Sequence, residues 1–515
     1  MLNLATILED SAVRYPDKTS LIFADIKLSF AQVNAAANQV ANGLKSIGIQ
    51  AGDKVAVSCP NMPQFPILYF GILKAGAVVV PLNVLLKTDE IAYHLADSDT
   101  KAYFCFCGSP ELPMGDMGYA AFNKTDACTN FYMIMPRSGM RPATEGISTM
   151  EDLMQGRSPV FDKCQTQGDD TCVIIYTSGT TGRPKGAELT HTNLFLNALL
   201  ICDLMEGSVD DVDLTVLPLF HIFGMTVMMN AAMIRARTSV LLPRFDTEAV
   251  FDAMQRHGVT LFAGVPTMYW AMLNYIDPKF DYELIASRLK MCCSGGAALP
   301  VKVLHEFEKR FNVPILEGYG MSEGSPVVTF NQLNTVRKPG SIGKTFWGVE
   351  VKLVDEEGSE VPPGEKGELW YRGHNVMKGY YKKPAETAAA LTDGWLHSGD
   401  VAIKDEDGFF FIVDRTKDMI ARGGMKIYPR EVEELMIKHE AVSLVAVVGI
   451  PDEGLGEDIK AFVVLKPGQT VEKEELINWT KERIAHYKYP RHIEFVAALP
   501  MNATGKILKR ELRSA

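Results

Sequence analysis

The chain has 515 residues, 47% hydrophobic and 22% charged, the proportions of a folded globular protein and not of a disordered or fibrous one. That length exceeds what a single core supports and predicts several compact units. A formal charge of -11 and a pI near 5.5 exclude a broad basic face for nucleic acid, so any anionic ligand must be held by local backbone N–H groups, a few Lys or Arg, and metal.

In chain order, the opening MLNLATILEDSAVRYPDK places acidic residues early and lacks the basic-then-apolar pattern of a secretory signal. From residue 53, DKVAVSCP, PQFPILYFGILKAG, AVVVPL, TDEIAYHLADS and KAYFCF alternate as strand and helix, a βαβαβ pattern. The longest apolar stretch, YFGILKAGAVVVPLNVLL, contains Lys74, Pro81 and two glycines, and reads as helix, turn and strand, not as a bilayer span. Cys105 and Cys107 read as small hydrophobes on the last of these strands. All nine cysteines, odd in number and without paired metal-ligand spacing, are expected as reduced thiols in a cytoplasm.

A second alternating stretch runs from about 210 to 330, where VTLFAGVP and LKMCCSGG are strands ending in Gly- or Pro-rich turns, the place where open α/β sheets bind ligands. VEVKLVDEEG, KGELWYRG and GFFFIVDR then predict a β-rich subdomain over about 335–415. Past Arg415, PREVEELMIKHEAV, LVAVVGIP, IKAFVVLKPG, EELINWTKERIAH and IEFVAALP predict a compact αββαβ unit. The fold class is therefore α/β: a large N-terminal domain, 1–415, of two α/β subdomains plus the β-rich one, and a small α+β C-terminal domain, 416–515.

The strongest motif is CVIIYTSGTTGRPKGAELTH, an apolar strand followed by Thr177, Ser178, Gly179, Thr180, Thr181, Gly182 and Lys185. Glycines let backbone N–H groups approach an anion, hydroxyls add donors, and Lys185 adds charge, so the loop suits phosphate. Its spacing is not that of G-x-x-x-x-G-K-[ST]. GSIGKT at 340–345 and GYGMSEG at 318–324 match neither that loop nor the dinucleotide fingerprint.

With EGYGMSEGSP (317–326), DGWLHSGDVAIKDEDGFFFIVDRTKD (393–418), RGGMKIYPREVE (422–433) and PMNATGKILKREL (500–512) following in order, nearly the whole chain resembles the adenylate-forming (ANL) superfamily. GYGMSEGSPVVTFN is most similar to fatty acyl-CoA ligases. The resemblance implies an acid–thiol ligase that forms acyl-AMP and pyrophosphate from ATP and a carboxylic acid, then acyl-CoA and AMP from CoA. ATP, Mg²⁺ and CoA are implied, with a mobile C-terminal domain.

The resemblance also assigns roles. The loop from Thr177 to Lys185 would grip the ATP phosphates, and Glu323, after Ser322, would hold Mg²⁺. Gly296, Ala297, Glu317, Gly318, Tyr319, Gly320 and Met321 would frame the nucleotide, Asp400 and Arg415 its ribose. Lys506 and Glu323 would be catalytic. His221, Phe223 and Gly320 would meet the acyl substrate. Lys417 would be the hinge, and Gly424 would lie near the pantetheine tunnel. Many relatives have Thr where this chain has Ser322; the hydroxyl is kept.

The apolar, methionine-rich IFGMTVMMNAAMI after His221 suits an alkyl chain, which favours a medium- or long-chain fatty acid. Ile222 and Phe223 stand where amino-acid-activating relatives usually carry Asp. The alternatives are a ligase for an aryl or short-chain acid, an acyl-AMP ligase loading a carrier protein, and a non-catalytic or light-emitting member. No extra segment of the carrier-loading kind stands between Gly340 and Arg415, and retention of Glu323, Asp400, Arg415 and Lys506 argues against an inactive member. A lipid substrate would suit peripheral membrane contact, for which the sequence shows no clear polybasic or amphipathic anchor. The ending ELRSA is no peroxisomal address and favours a cytoplasmic enzyme.

Overall fold

Runs of Val, Ile, Cys and Phe too apolar for a half-exposed strand form two parallel-cored sheets, covered by helices as such strands require. The computed structural model describes residues 1–177 and 183–513. Its seven-stranded sheet runs, edge to edge, Gly379–Tyr380, Lys185–Thr190, Thr171–Thr177, Val78–Pro81, Lys54–Ser58, Thr100–Phe106 and Asn130–Ile134. The helices Gln64–Lys74 and Thr88–Asp97 connect its parallel strands, as the βαβαβ reading expects. Lys74, at the end of the apolar helix, is buried and paired with Glu9 at 2.6 Å.

A nine-stranded sheet contains the parallel neighbours Val212–Thr215, Leu261–Gly264, Met291–Ser294 and Ile315–Gly320. Between Val212–Thr215 and Thr238–Leu241 lies a π-helix, Phe223–Asn230. Its methionines Met225, Met228 and Met229 are at most 3% exposed, so this methionine-rich stretch is packed core in the structure. Burial without hydrogen-bonding polar partners is what thioethers tolerate best.

The β-rich segment forms a five-stranded antiparallel sheet from Val349–Val354, Lys366–Gly373, Leu391–Thr392, Trp395–Lys404 and Phe410–Arg415. Beyond it come helix Pro429–Met436, the long hairpin Val442–Asp452 with Gly456–Leu465, helix Lys473–Lys481 and strand His492–Phe495. This is the expected αββαβ order, preceded by a short hairpin, Ile420–Arg422 with Met425–Ile427. Two separate apolar clusters here draw only on residues 420–512. No described helix is long and apolar enough to cross a membrane. All nine cysteines are free, and burial pushes the Cys105 thiol up to about 12.

Candidate active site

The parallel strands deliver their carboxyl ends to one place, where an open α/β sheet leaves room for a ligand. Gly296 and Ala297 follow Met291–Ser294 and are exposed; Tyr319 and Gly320 end Ile315–Gly320; His221 lies on the segment that follows Val212–Thr215. A Cβ at Gly320 would sit 1.8 Å from the Pro326 carbonyl oxygen, so only glycine fits there. Met321 donates its N–H to that same carbonyl at 3.1 Å, closing the turn that presents Ser322 and Glu323.

Glu323 is 6% exposed, and one of its oxygens, Oε1, accepts hydrogen bonds from Thr177 Oγ1 at 3.1 Å and from Tyr380 Oη at 2.9 Å. Thr177 and Lys185 are cross-strand partners in an antiparallel pair, and Thr177 abuts Glu323. Ser178, Gly179, Thr180, Thr181 and Gly182 lie outside the described residues. The Lys185 ammonium sits 4.4 Å from the centre of the Tyr380 ring, a cation–π contact. A buried carboxylate held by neutral hydroxyls beside an anion-binding loop fits a divalent cation whose other ligands are phosphate oxygens, because Mg²⁺ takes one or two carboxylates and substrate oxygens.

Asp400 and Arg415 are cross-strand partners on the hairpin Trp395–Lys404 with Phe410–Arg415 and form an ion pair at 3.3 Å. Tyr319 donates its hydroxyl to the other Asp400 oxygen at 2.5 Å. Each carboxylate oxygen has a second lone pair, so Asp400 retains acceptor capacity for hydroxyls of a ligand. Glu317, on the same strand as Tyr319, is 2% exposed, and its carboxylate accepts from Leu299 N–H at 3.1 Å. Burial raises it to about 7 against the attraction of Arg430. The side chain therefore braces the floor of the cleft. Gly318 packs against the Phe330 ring.

Lys506 reaches this cluster from the other end of the sequence. Asn502 Oδ1 accepts from the N–H groups of Thr504 and Lys506 at 3.0 and 2.9 Å, which winds the NATGK loop tightly. Thr267 donates its hydroxyl to the Gly505 carbonyl at 2.8 Å, and Ala503 packs on the main core. Gly505 has φ +82, and a Cβ there would lie 3.0 Å from Val265. Burial, followed by repulsion from Arg415, pushes the Lys506 ammonium down to about 8, while Asp400 opposes the shift. His221 is pushed to about 4 by burial and by the Lys506 charge, so it is neutral near pH 7. Its Nδ1 accepts from Phe223 N–H at 3.3 Å, which leaves Nε2 as the protonated nitrogen. Phe223, half-buried, lies against Gly295.

Two predicted residues are exposed, Lys417 at the edge of the cluster, within reach of the Arg415 and Lys506 charges, and Gly424 on a hairpin tip. Lys417 is exposed on a single 3₁₀ turn, Thr416–Asp418, and its carbonyl accepts from Arg513 at 3.3 Å. Gly424 is at the tip of the Ile420–Ile427 hairpin, where an added Cβ would meet nothing within 4 Å. Tyr380, Thr267 and Asn502 contact residues of the candidate site and were not singled out by sequence reasoning. The GYYKKP run around Tyr380 and the Asn502 and Thr504 of NATGK were the available signals.

An alkaline limb follows from Lys506. If Lys506 has the role the sequence resemblance implies, bringing a carboxylate against a phosphate, it acts as the ammonium, so as pH rises through about 8 the kcat/KM for pyrophosphate release should fall, reporting the free enzyme. His221, already neutral, adds no limb there. Lys506→Arg, which stays protonated, should remove the limb even at a lower rate. A wild-type profile that stays flat well above about 8 would contradict this assignment.

Comparison with known proteins agrees along the whole chain. Residues 8–381 match the model of the AMP-binding enzymes, and residues 431–506 that of the AMP-binding enzyme C-terminal domain. A long-chain-fatty-acid–CoA ligase of Bacillus subtilis is 39% identical over 99% of this chain and 94% of its own length. A feruloyl-CoA synthase of Amycolatopsis is 37% identical over 97% of this chain and 96% of its own. The crystal structure of an anthranilate CoA ligase in complex with anthranoyl-AMP superposes with a TM-score of 0.92 at 31% identity, covering 99% of this chain and 96% of that one.

Proposed function

We propose that this chain, an acyl-CoA ligase belonging to the AMP-binding enzyme family, activates a medium- or long-chain fatty acid. The observation that supports the adenylation step is the docking of the Lys506 loop beside Asp400, Arg415 and His221, where its ammonium would stand between the two anions that must meet. Adenylation asks a carboxylate oxygen to attack the α-phosphorus of ATP while pyrophosphate leaves. A positioned ammonium in a water-poor cleft lowers that repulsion. Asp400 and Arg415 would hold the ribose, Tyr319 would offer its ring to the base, and Lys185 with the adjoining loop would hold the β- and γ-phosphates. Mg²⁺, held by Glu323, would supply charge neutralisation to the triphosphate.

For the thiol step, the Lys506 loop would have to leave to admit a thiol to the acyl-AMP. Rotation about Lys417 would replace it with the Gly424 hairpin, consistent with the exposure of both in this conformation. Nine free thiols, none disulfide-bonded, suit a cytoplasmic location.

Support for a fatty acid comes from the 39% identity to the Bacillus ligase and from Phe223, half-buried against Gly295. An aryl acid is the second reading, favoured by the 37% identity to a feruloyl-CoA synthase and by the tight packing of Met225, Met228 and Met229. Comparing kcat/KM for alkanoates of increasing length with that for benzoate and ferulate separates them. An alkyl site should gain up to roughly fourfold per buried methylene, from about 0.8 kcal/mol each. No gain beyond the shortest acids, with aryl acids preferred, would replace the first reading with the second.

A further inference from the structure

Residues Met377–Tyr381 form a strap between Glu323 and the strand Lys185–Thr190. Met377 N–H donates to the Glu323 carbonyl at 2.9 Å, Lys378 N–H to Glu188 O at 2.9 Å and Tyr381 N–H to Gly186 O at 2.8 Å. Gly379–Tyr380 thereby adds a two-residue edge strand to Lys185–Thr190. The far end is pinned: Tyr381 donates to Asp99 at 2.7 Å, and Lys383 pairs with Asp97 at 3.0 Å. Within this strap the Tyr380 side chain touches two charged groups at once, its hydroxyl on Glu323 Oε1 and its ring under the Lys185 ammonium.

We infer that Tyr380 is a positioning residue for metal-bound ATP, its hydroxyl setting the direction of the Glu323 carboxylate and its ring setting the place of the Lys185 ammonium. Thr177 and Tyr380 both donate to Oε1, which restrains the carboxylate and leaves Oε2, which neither occupies, as the oxygen that would take a cation. In this bond the phenol hydroxyl is the donor, since an ionised carboxylate offers only acceptor oxygens. A hydrogen bond to a metal-ligating carboxylate typically changes metal affinity by roughly 10- to 100-fold. The ring, by contrast, acts on the phosphates through Lys185 and needs no metal to do so. Hydroxyl and ring are therefore separable. This inference rests on the reading of Glu323 as the Mg²⁺ carboxylate.

The test is calorimetric binding of ATP to the full chain, with and without Mg²⁺, the carboxylic acid omitted so that no turnover occurs. Tyr380→Phe should leave metal-free ATP binding and the melting temperature unchanged but raise the Mg²⁺ concentration giving half its effect by roughly tenfold. Tyr380→Leu should in addition weaken metal-free binding. Glu323→Gln serves as the reference: it should abolish the Mg²⁺ effect. If Glu323→Gln abolishes it while Tyr380→Phe titrates like wild type, the role given to Tyr380 is wrong. If Glu323→Gln itself keeps the full Mg²⁺ effect, the metal reading of Glu323 fails and the inference with it.

Discussion

Lys506→Ala should cut adenylate formation by roughly 10²- to 10³-fold, as losing one preorganised electrostatic group typically does, while thioester formation from supplied acyl-AMP proceeds near the wild-type rate. A carboxylate and a phosphate oxygen about 4 Å apart repel by about 4 kcal/mol at an effective dielectric of about 20. That is close to three decades in rate at about 1.4 kcal/mol per decade. The loop that holds Lys506 is built from its own backbone, with Asn502 as hub and Thr267 as dock. Truncating the side chain beyond Cβ therefore leaves the loop and the fold in place. Single-turnover measurements of pyrophosphate and of acyl-CoA, each from its own starting material, separate the two steps. Equal losses in both, with an unchanged melting temperature, would remove Lys506 from a step-specific role.

The reverse separation is expected of Gly424→Leu. In the present conformation a Cβ at this hairpin tip meets nothing within 4 Å, and adenylation should stay within about twofold of wild type at a local cost of about 1–2 kcal/mol for positive φ. In the proposed second conformation, with the hairpin in place of the Lys506 loop, the same side chain would stand where the pantetheine arm must pass. A misplacement of even about 1 Å in a reacting group costs on the order of 10² in rate, so thioester formation should fall by about that factor or more. Acyl-AMP should then accumulate on the enzyme. Loss of adenylation with an intact thiol step would place Gly424 in the other half-reaction.

The alternation of strands and helices was readable because each element is local and its period is short. VTLFAGVP and LKMCCSGG became the strands Leu261–Gly264 and Met291–Ser294, ending where the cleft opens. Asp400 and Arg415 were legible as members of one motif, and their approach follows from a single hairpin register. Lys506 was legible only through its motif: nothing in NATGKI says that Thr267, more than two hundred residues earlier, will receive the loop. Tyr380 escaped notice because its strand is two residues long and its partners, Lys185 and Glu323, are remote in sequence. The methionines after His221 misled in a different way. Apolar composition does not distinguish a wall from a core, and Met225, Met228 and Met229 are interior to a π-helix.

Pyrophosphate release with ATP and Mg²⁺, measured over short-, medium- and long-chain fatty acids and aryl acids with and without CoA, tests the central claim most directly. A ligase working in two steps at one site should turn over only with CoA present, yielding acyl-CoA and AMP in equal amounts, and do so best with the longer fatty acids. Steady turnover that ignores CoA, or acyl-AMP that CoA fails to consume, would contradict it.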